Sequence, residues 1–295
     1  MPELPDLTVY IEHLEQRLIG ERLNAIRLSS PFLLRSVSPT VDEVCGYRVD
    51  AVRRLAKQIV FELDDGLYMV IHLMIAGRLR WHDAGAAVPK RNGLAAFDFD
   101  AGTLIFTEAS KKKRASLRLV RGADALADLD PGGLEIFDID LETFAQRLRT
   151  ANHTVKRALT DQHIFAGIGN AYSDEILLRA GMSPFKRGRD MSDAESQRLF
   201  DACRETLQQW IEILRGKSAG KFPGKVTAFH PEMAVHGKYK EPCPVCGAPV
   251  QRIVHAENES NYCAKCQTGG RLLADRSLSR LLKDTYPKRI EELEG

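Results

Sequence analysis

Eight short segments with the residue pattern of β-strands follow one another through the first part of the chain, without a helical pattern between them. They cover residues 22–28, 47–54, 59–63, 68–73, 78–81, 95–99, 103–107 and 116–120. Turn sequences at Asp64-Asp65-Gly66 and Asp100-Ala101-Gly102 join two pairs of them into hairpins. Strands that follow one another without crossover helices form antiparallel sheets, so the pattern predicts a β-sandwich or a barrel.

Helical spacing of apolar residues lies on both sides of this strand region. Before it, apolar residues of one helix face recur at Leu7, Tyr10, Ile11, Leu14 and Leu18. After it, helical patterns cover residues 141–149, 153–162, 171–179 and 192–214. Gly167-Ile168-Gly169-Asn170 separates the second of these from the third, and it fits either an ordinary helix-hairpin turn or a backbone loop that approaches a phosphate. A further helical pattern, with Leu272, Leu273, Leu278, Leu281 and Leu282, marks the C-terminal tail.

Four of the six cysteines form two C-x2-C pairs, Cys243 with Cys246 and Cys263 with Cys266. This spacing is typical of a tetrahedral zinc site. Since four thiolates leave no coordination position for water, the expected cofactor is one structural Zn2+ and not a catalytic zinc. Residues 248–255 have strand character and 257–259 resemble a turn, which together predict a zinc ribbon.

Composition and charge exclude some classes of protein. The chain has 295 residues and a formal net charge of +2, but basic residues cluster at 53–57, 111–114, 186–189 and 238–240. Each cluster alone is typical of solvated surface, and together they indicate a basic face for a polyanion. No apolar segment approaches the roughly 18 residues of a membrane span, and the charged N-terminus is unlike a secretory signal. We therefore expect a cytoplasmic protein without a membrane partner.

The chain begins Met1-Pro2-Glu3-Leu4-Pro5. Removal of Met1 would leave a proline secondary amine beside a carboxylate. Such an amine can attack the aldehyde carbon of a sugar and form an iminium ion, and Glu3 could move the protons. Proline followed by glutamate also suits the first turn of a helix, so these residues alone leave both interpretations open.

Three separated segments together resemble the formamidopyrimidine-DNA glycosylase and endonuclease VIII family: the N-terminal Pro2-Glu3-Leu4-Pro5, residues 167–177, and the cysteine ribbon. The resemblance covers residues 1 to 267. It implies an α+β multidomain fold, in which residues 1–130 form a catalytic domain of an N-terminal helix and an antiparallel β-sandwich. Residues 131–235 would form a helix-two-turns-helix domain, 236–270 a zinc ribbon and 271–295 a tail extension.

The resemblance also implies roles for individual residues. Pro2 would attack C1′ of the damaged nucleotide, Glu3 would assist opening of the sugar ring, and Lys57 would lie near the reacting sugar and its phosphate. Lys156 and Asn170 would hold the phosphates that flank the lesion. The implied protein is a DNA repair glycosylase with AP lyase activity that cleaves by β or β,δ elimination. It is expected to be a monomer and to associate with the nucleoid when bound to damaged DNA.

The chain departs from the family at the residues that brace duplex DNA. Ile75 aligns with a family methionine wedge, so Met74 or Ile75 would fill the space of the extruded nucleotide. The following loop carries Lys111, Lys112 and Lys113 and no aromatic residue. Lysines can hold phosphates but cannot stack on an orphaned base. These departures predict DNA in which no partner strand needs bracing, such as single-stranded, bubble or crosslinked DNA.

A second departure lies in the zinc ribbon. Asn258 occupies the position, five residues before Cys263, where the family has an arginine that binds the phosphates around the lesion. A neutral amide cannot replace a bidentate guanidinium, although Arg252 or Arg271 could supply one from elsewhere. Two alternatives therefore stay open. One is a non-catalytic DNA-damage-binding protein on the same scaffold, and the other is a zinc-ribbon protein that binds RNA or a protein through its tail.

Overall fold

The computed structural model describes residues 1–224, 226–255, 258–274 and 287–293. Contacts divide the chain into two compact units. Unit 1 consists of Met1–Pro131 and Gln209–Ala228, and unit 2 consists of Gly132–Gln208 and Phe229–Gly295. Within the described ranges, no helix combines the length and the apolar character needed to cross a membrane.

Unit 1 holds eight strands in two four-stranded antiparallel sheets. The strands are β1 (Leu23–Leu28), β2 (Val49–Leu55), β3 (Gln58–Leu63), β4 (Leu67–His72), β5 (Gly77–His82), β6 (Gly93–Phe99), β7 (Gly102–Glu108) and β8 (Ser116–Arg121). One sheet has the order β1-β6-β7-β5 and the other β2-β3-β4-β8. Each predicted segment corresponds to one strand, with ends that differ by at most two residues. The predicted antiparallel sandwich is therefore confirmed.

One apolar core joins both sheets and the first helix, α1 (Leu4–Leu18). Tyr10 and Leu14 of α1 are completely buried in it, as are Phe61 of β3 and Phe97 of β6. Burial of such aromatic side chains on both inner faces is the main stabilising contribution, at about 25 cal/mol for each Å² of apolar surface removed from water. The N-terminal segment also has two short α-helices, α2 (Val41–Val44) and α3 (Ala123–Ala127), and 3-10 helices at Pro31–Leu33 and Asp64–Gly66.

The C-terminal part of the long helix α7 (Asp193–Ser218) belongs to unit 1, and its side chains contact those of α1. Arg215 Nε donates to both carboxylate oxygens of Glu12 at 3.0 Å. His13 Nε2 lies 3.0 Å from the Ser218 hydroxyl. The helical pattern over 192–214 predicted α7 itself, but it did not predict that the C-terminal part of α7 belongs to unit 1.

Unit 2 combines helices with a two-stranded hairpin. Its elements are α4 (Leu141–Thr150), α5 (Val155–Thr160), α6 (Asn170–Arg179), the first part of α7, β9 (Gln251–His255), β10 (Asn258–Tyr262) and α8 (Ala264–Thr268). Two turns between α5 and α6 include Gly167, whose φ of 81° a residue with a side chain rarely adopts. The predicted helix-two-turns-helix domain is confirmed. Of the turn predicted at 257–259, Asn258 and Glu259 lie in β10 instead, whereas Glu257 lies outside the described residues.

The described parts of the C-terminal tail pack on the zinc-ribbon segment. Leu272, Leu273 and Ile290 share a buried cluster with residues of β9 and β10. The Leu272 N–H donates to the Lys288 carbonyl at 2.8 Å, and the Ile290 N–H donates to Gly270 at 2.9 Å. Of the predicted tail helix, Leu272 and Leu273 lie outside any helix, whereas Leu278, Leu281 and Leu282 lie outside the described residues.

Candidate functional site

The start of α1 holds the N-terminus in a buried position. Glu3 is the N-cap residue, and its backbone N–H donates to the Asp6 carboxylate at 2.9 Å. Its own carboxylate accepts from the first turn, which completes a capping box. Pro2 is buried just before the helix, and Glu3 is only 3% exposed. The helix therefore orients the two residues that the sequence predicts to react.

Four charged side chains act on the N-terminal amine. Burial lowers the pKa of the Met1 amine, and the carboxylates of Glu3 and Asp6 oppose this shift. The cations Arg78 and Lys57 lower that pKa further. A neutral amine is the nucleophilic form, so an environment that disfavours the ammonium favours reactivity.

Lys57 lies in the tight turn between β2 and β3, half-buried. Ala56 adopts a φ of 49° there, and Arg54 Nη1 donates to its carbonyl at 2.8 Å, which closes the turn. Burial lowers the pKa of the Lys57 ammonium, and the Glu3 carboxylate opposes that shift. The structure thus brings Pro2, Glu3 and Lys57 together although the third is 54 residues from the second.

His72, which the sequence did not single out, joins this group. It ends β4 and pairs with Gln58 of β3, next to the Lys57 turn. Burial, together with the charges of Lys57 and Arg118, lowers the pKa of His72 to about 4. Its Nδ1 lies 3.3 Å from the Met74 N–H, so a neutral ring can accept that hydrogen bond. His72 therefore connects the predicted catalytic residues to the next turn.

That turn, residues 73–76 between β4 and β5, carries the two predicted wedge residues. Met74 has a φ of 53° and is partly buried, whereas Ile75 is 57% exposed. The Gly77 N–H closes the turn by donating to the Leu73 carbonyl at 2.8 Å. A Cβ on Gly77 would lie 2.2 Å from that oxygen, so only glycine fits there. Ile75, and not Met74, is the apolar side chain that projects from the turn.

The lysine-rich loop after β7 is anchored by a buried carboxylate. Glu108 is 1% exposed and accepts the backbone N–H groups of Arg114 at 3.1 Å and Ala115 at 3.3 Å. Lys113 Nζ donates back to the Glu108 carbonyl at 2.6 Å. All three predicted lysines, Lys111, Lys112 and Lys113, are exposed. The loop therefore presents a fixed cluster of positive charge.

Unit 2 contains the other two predicted DNA-binding residues, which contact each other. Lys156 Nζ donates to the Asn170 carbonyl at 2.9 Å, to the Ser173 hydroxyl at 3.0 Å and to a carboxylate oxygen of Asp174. Since an ammonium has three N–H donors, all of them are used inside the unit. Asn170 Nδ2 donates to the Glu259 carbonyl of β10 at 2.7 Å. In this arrangement Lys156 positions Asn170. A direct contact of Lys156 with a phosphate would require the ammonium to give up one of its three hydrogen bonds.

The Asp174 carboxylate, which accepts from Lys156, contacts side-chain or backbone groups of three separate segments. It is 1% exposed, and its second oxygen lies 2.8 Å from His236 Nδ1 and accepts the Asn261 N–H at 3.1 Å. The neighbouring Glu175 accepts backbone N–H groups of 234–236 at 2.7 to 3.0 Å. These two carboxylates tie α5 and β10 to the segment that leads into the zinc ribbon.

We predict that Lys156→Met strongly destabilises the protein. It leaves the Asp174 carboxylate buried without its cation, and breaking a buried pair in this way costs about 3–5 kcal/mol. Urea unfolding followed by circular dichroism measures the loss in the free energy of unfolding. In Lys156→Met/Asp174→Asn, which removes both charges, much of this loss should be recovered, and a single variant within about 1 kcal/mol of wild type would contradict the prediction.

The four ribbon cysteines form a compact sulfur cluster. All four Sγ atoms lie within 4.8 Å of one another, with Cys243 4.0 Å from Cys266 and Cys246 3.4 Å from Cys263. A tetrahedral zinc with Zn–S bonds of about 2.3 Å separates its sulfurs by about 3.8 Å. The donor set and its spacing therefore fit one structural zinc, as predicted. Cys45 and Cys203 lie elsewhere and take no part in the cluster.

Three family models match successive parts of the chain. The model described as Formamidopyrimidine-DNA glycosylase N-terminal domain matches residues 1–114, and its H2TH domain counterpart matches residues 133–221. The model described as Zinc finger found in FPG and IleRS matches residues 240–269. All three segments of the sequence resemblance therefore fall within matched regions.

Full-length similarity extends to proteins named formamidopyrimidine-DNA glycosylase. The Thermus thermophilus protein is 32% identical over 280 residues, which cover 92% of this chain and all of that protein. The Desulforamulus reducens protein is 31% identical over 276 residues, 90% of this chain and 99% of that protein. Among solved structures, the Lactococcus lactis Fpg protein in complex with DNA containing an abasic site has a TM-score of 0.79 at 28% identity, with 90% of this chain and 99% of that chain covered. MutM in complex with DNA containing carbocyclic 8-oxo-G has a TM-score of 0.80 at 28% identity, with 90% and 100% covered.

Proposed function

The chain belongs to the formamidopyrimidine-DNA glycosylase family and is a DNA glycosylase of DNA repair, and from this premise we propose that it also cleaves the DNA strand through its N-terminal amine. The observation that carries the proposal is the convergence of Glu3 and Lys57 on the buried chain terminus. With Met1 removed, the Pro2 nitrogen becomes a secondary amine in these surroundings. Burial lowers the pKa of the Met1 amine. Burial of a Pro2 amine at the same end of α1 would likewise keep more of it in the neutral, nucleophilic form.

The reaction follows from the electron demand of the sugar. The amine adds to C1′ while the damaged base leaves with the glycosidic electron pair, and opening of the ring gives an iminium ion between Pro2 and C1′. The positive nitrogen acidifies the C2′ hydrogen, whose removal expels the 3′ phosphate by β elimination. Glu3 is suited to take the proton that the Pro2 nitrogen loses on attack and to pass it to the ring oxygen, because its carboxylate is held by α1 beside the amine.

Lys57 is suited to bind anionic oxygens of the reacting nucleotide. Its ammonium is half-buried at a rigid turn, so it attracts a phosphate more strongly than a solvated lysine would. Asn170, positioned by Lys156, and the exposed loop lysines would contact further phosphates. Such contacts hold the strand in place but do not read its sequence. The target nucleotide would be extruded from the stack, because C1′ is inaccessible in a duplex.

We expect the protein to prefer lesions in single-stranded or bubble DNA. The loop at 109–115 offers only charge to the opposite strand, and Ile75 is the one apolar group that the 73–76 turn projects. Rates of strand cleavage at one lesion in single-stranded, bubble, crosslinked and fully paired oligonucleotides measure the preference. A strong duplex preference that depends on the opposite base would contradict it. In Ile75→Ala the duplex rate should fall more than the single-strand rate.

Borohydride trapping tests the proposed chemistry, because reduction converts the iminium ion into a stable amine bond between protein and DNA. If a chain whose Met1 has been removed gives no adduct on an abasic oligonucleotide, the non-catalytic DNA-damage binder is the better description. Products with a 3′ unsaturated aldehyde or a 3′ phosphate distinguish β from β,δ elimination on a denaturing gel.

A further inference from the structure

Three side chains form an exposed cationic and aromatic group on the zinc ribbon, here called the Tyr239 cluster: Tyr239, Lys240 and Arg252. The Arg252 guanidinium lies over the Tyr239 ring, 4.3 Å from its centroid, and the Lys240 ammonium lies 5.5 Å from the same centroid. All three residues are exposed, Tyr239 by 38%. Stacking on the ring holds the guanidinium in place and leaves its edge available for an anion.

Backbone pairing creates this cluster. The Lys240 N–H donates to the Val250 carbonyl at 2.9 Å, and the Val250 N–H donates to Glu241 at 2.9 Å. The segment before the first zinc ligand therefore lies beside the start of β9, where Arg252 follows two residues later. The cluster is thus built on the same rigid hairpin that the zinc site closes.

Lys240 adopts a backbone conformation that is unfavourable for lysine. Its φ is 71°, in the left-handed region that glycine enters freely and residues with a Cβ disfavour. Glycine at this position would therefore remove the lysine charge and relieve the strain at the same time. Lys240→Gly is for this reason a suitable variant for testing the role of the side chain.

Among the described residues, one carboxylate forms an ion pair with the Tyr239 cluster: Glu259 Oε2 lies 3.5 Å from Arg252 Nη1. The nearby Glu241 pairs instead with Lys238, outside the cluster, at 3.1 Å. The Arg252–Glu259 contact is long and exposed, so it holds the guanidinium only weakly. An arginine has five N–H donors, and within the described ranges the Arg252 guanidinium donates to Glu259 alone, which leaves donors for a second, stronger anion.

We propose that the Tyr239 cluster binds a phosphodiester of the DNA strand, with Arg252 and Lys240 as the cations and Tyr239 as the residue that positions Arg252. The DNA partner rests on the proposed function. β10, which pairs with the strand of Arg252, accepts the hydrogen bond of Asn170, so both DNA-binding groups belong to one connected part of unit 2.

The salt dependence of binding tests the proposal. The full-length chain without Met1 is titrated by fluorescence anisotropy onto a duplex containing a tetrahydrofuran abasic analogue, from about 50 to 300 mM KCl. We expect Arg252→Gln and Lys240→Gly each to weaken binding roughly three- to tenfold, and the double variant to reduce the slope of log K against log salt by about 0.9, the value for one phosphate that is no longer neutralised. Arg252→Lys should keep the slope but bind more weakly than wild type.

Lys240→Gly separates DNA binding from a structural role. Glycine relieves the strain at φ 71°, so thermal stability and zinc content should be kept or improved while DNA affinity falls. Glu259→Gln, which removes the competing carboxylate, should tighten binding instead. Lys90→Gln, an exposed charge in unit 1, serves as the control for net charge.

An unchanged slope in Lys240→Gly/Arg252→Gln with full zinc content would overturn the proposal. If Arg252→Gln loses zinc, Lys240→Gly alone decides, since it is expected to fold at least as well as wild type. Borohydride trapping at saturating protein separates the two proposals. Absence of the adduct with the wild-type chain would refute the Pro2 chemistry. Substitutions in the Tyr239 cluster should change only the protein concentration at which the adduct yield saturates.

Discussion

Blocking the nitrogen of Pro2 should abolish covalent trapping on abasic DNA. Two versions of the wild-type chain test this, one with an N-terminal extension retained and one cleaved to begin at Pro2. In the extended chain the Pro2 nitrogen is an amide, whose lone pair is delocalised, so no iminium ion can form. Pro2→Gly with a free terminus keeps a primary amine but loses the buried ring, and its trapping rate should fall by about a hundredfold or more.

The control for this experiment is binding without chemistry. All three chains should bind the tetrahydrofuran analogue with affinities within about twofold of one another, because Pro2 makes no contribution to the charge that holds the phosphates. Mass spectrometry of the N-terminus establishes which residue comes first. Equal adduct yields from the extended and the cleaved chain would contradict the role of Pro2 and would direct attention to a lysine such as Lys57.

Loss of the zinc site should remove DNA binding while unit 1 stays folded. Cys246→Ser takes away one of four thiolates, and structural zinc in such ribbons contributes about 10–16 kcal/mol to folding. The buried cluster around Val250 and Tyr262 would then open, together with the segment that carries Arg252. We expect stoichiometric zinc to be lost and DNA affinity to fall by about a hundredfold or more. Unit 1 has its own core, so most of its β-sheet circular dichroism should remain.

Cys45→Ser is the matched control for the zinc experiment. Cys45 is a half-buried thiol outside the sulfur cluster, and its Sγ donates to the Val41 carbonyl at 3.2 Å, which a serine hydroxyl can also do. This variant should keep one equivalent of zinc and wild-type affinity. Measurement of released metal with a colorimetric chelator compares the two. A Cys246→Ser protein that retains zinc and binds DNA normally would refute a structural role for the site.

The fold of unit 1 could be predicted because its elements are local. Alternation of side chains, together with the turns at Asp64-Asp65-Gly66 and Asp100-Ala101-Gly102, marks strands and hairpins within a few residues of sequence. The strand order β1-β6-β7-β5 could not be obtained in this way, since β1 pairs with a strand about 70 residues later. The sequence also did not show that residues 209–228 belong to unit 1, because a helical pattern does not state which surface the helix packs against.

The residues of the predicted site also differ in how clearly the sequence marks them. Pro2 and Glu3 stand out by position at the chain terminus, and the cysteines stand out by spacing. His72 does not, because a single histidine at the end of a strand has no pattern of its own. Its relation to Lys57 arises only when β4 pairs with β3.

The sequence by itself determined the residue types that chemistry requires: a potential terminal amine beside a carboxylate, four thiolates at zinc-binding spacing, and a lysine loop in place of an aromatic one. Only the tertiary structure decided how these groups are used. It directs the three donors of Lys156 inward, projects Ile75 instead of Met74, and stacks Arg252 on Tyr239. The physical reason is that spacing along the chain constrains neighbours within a turn or a knuckle, whereas hydrogen-bond partners and burial depend on strand register and packing between distant segments.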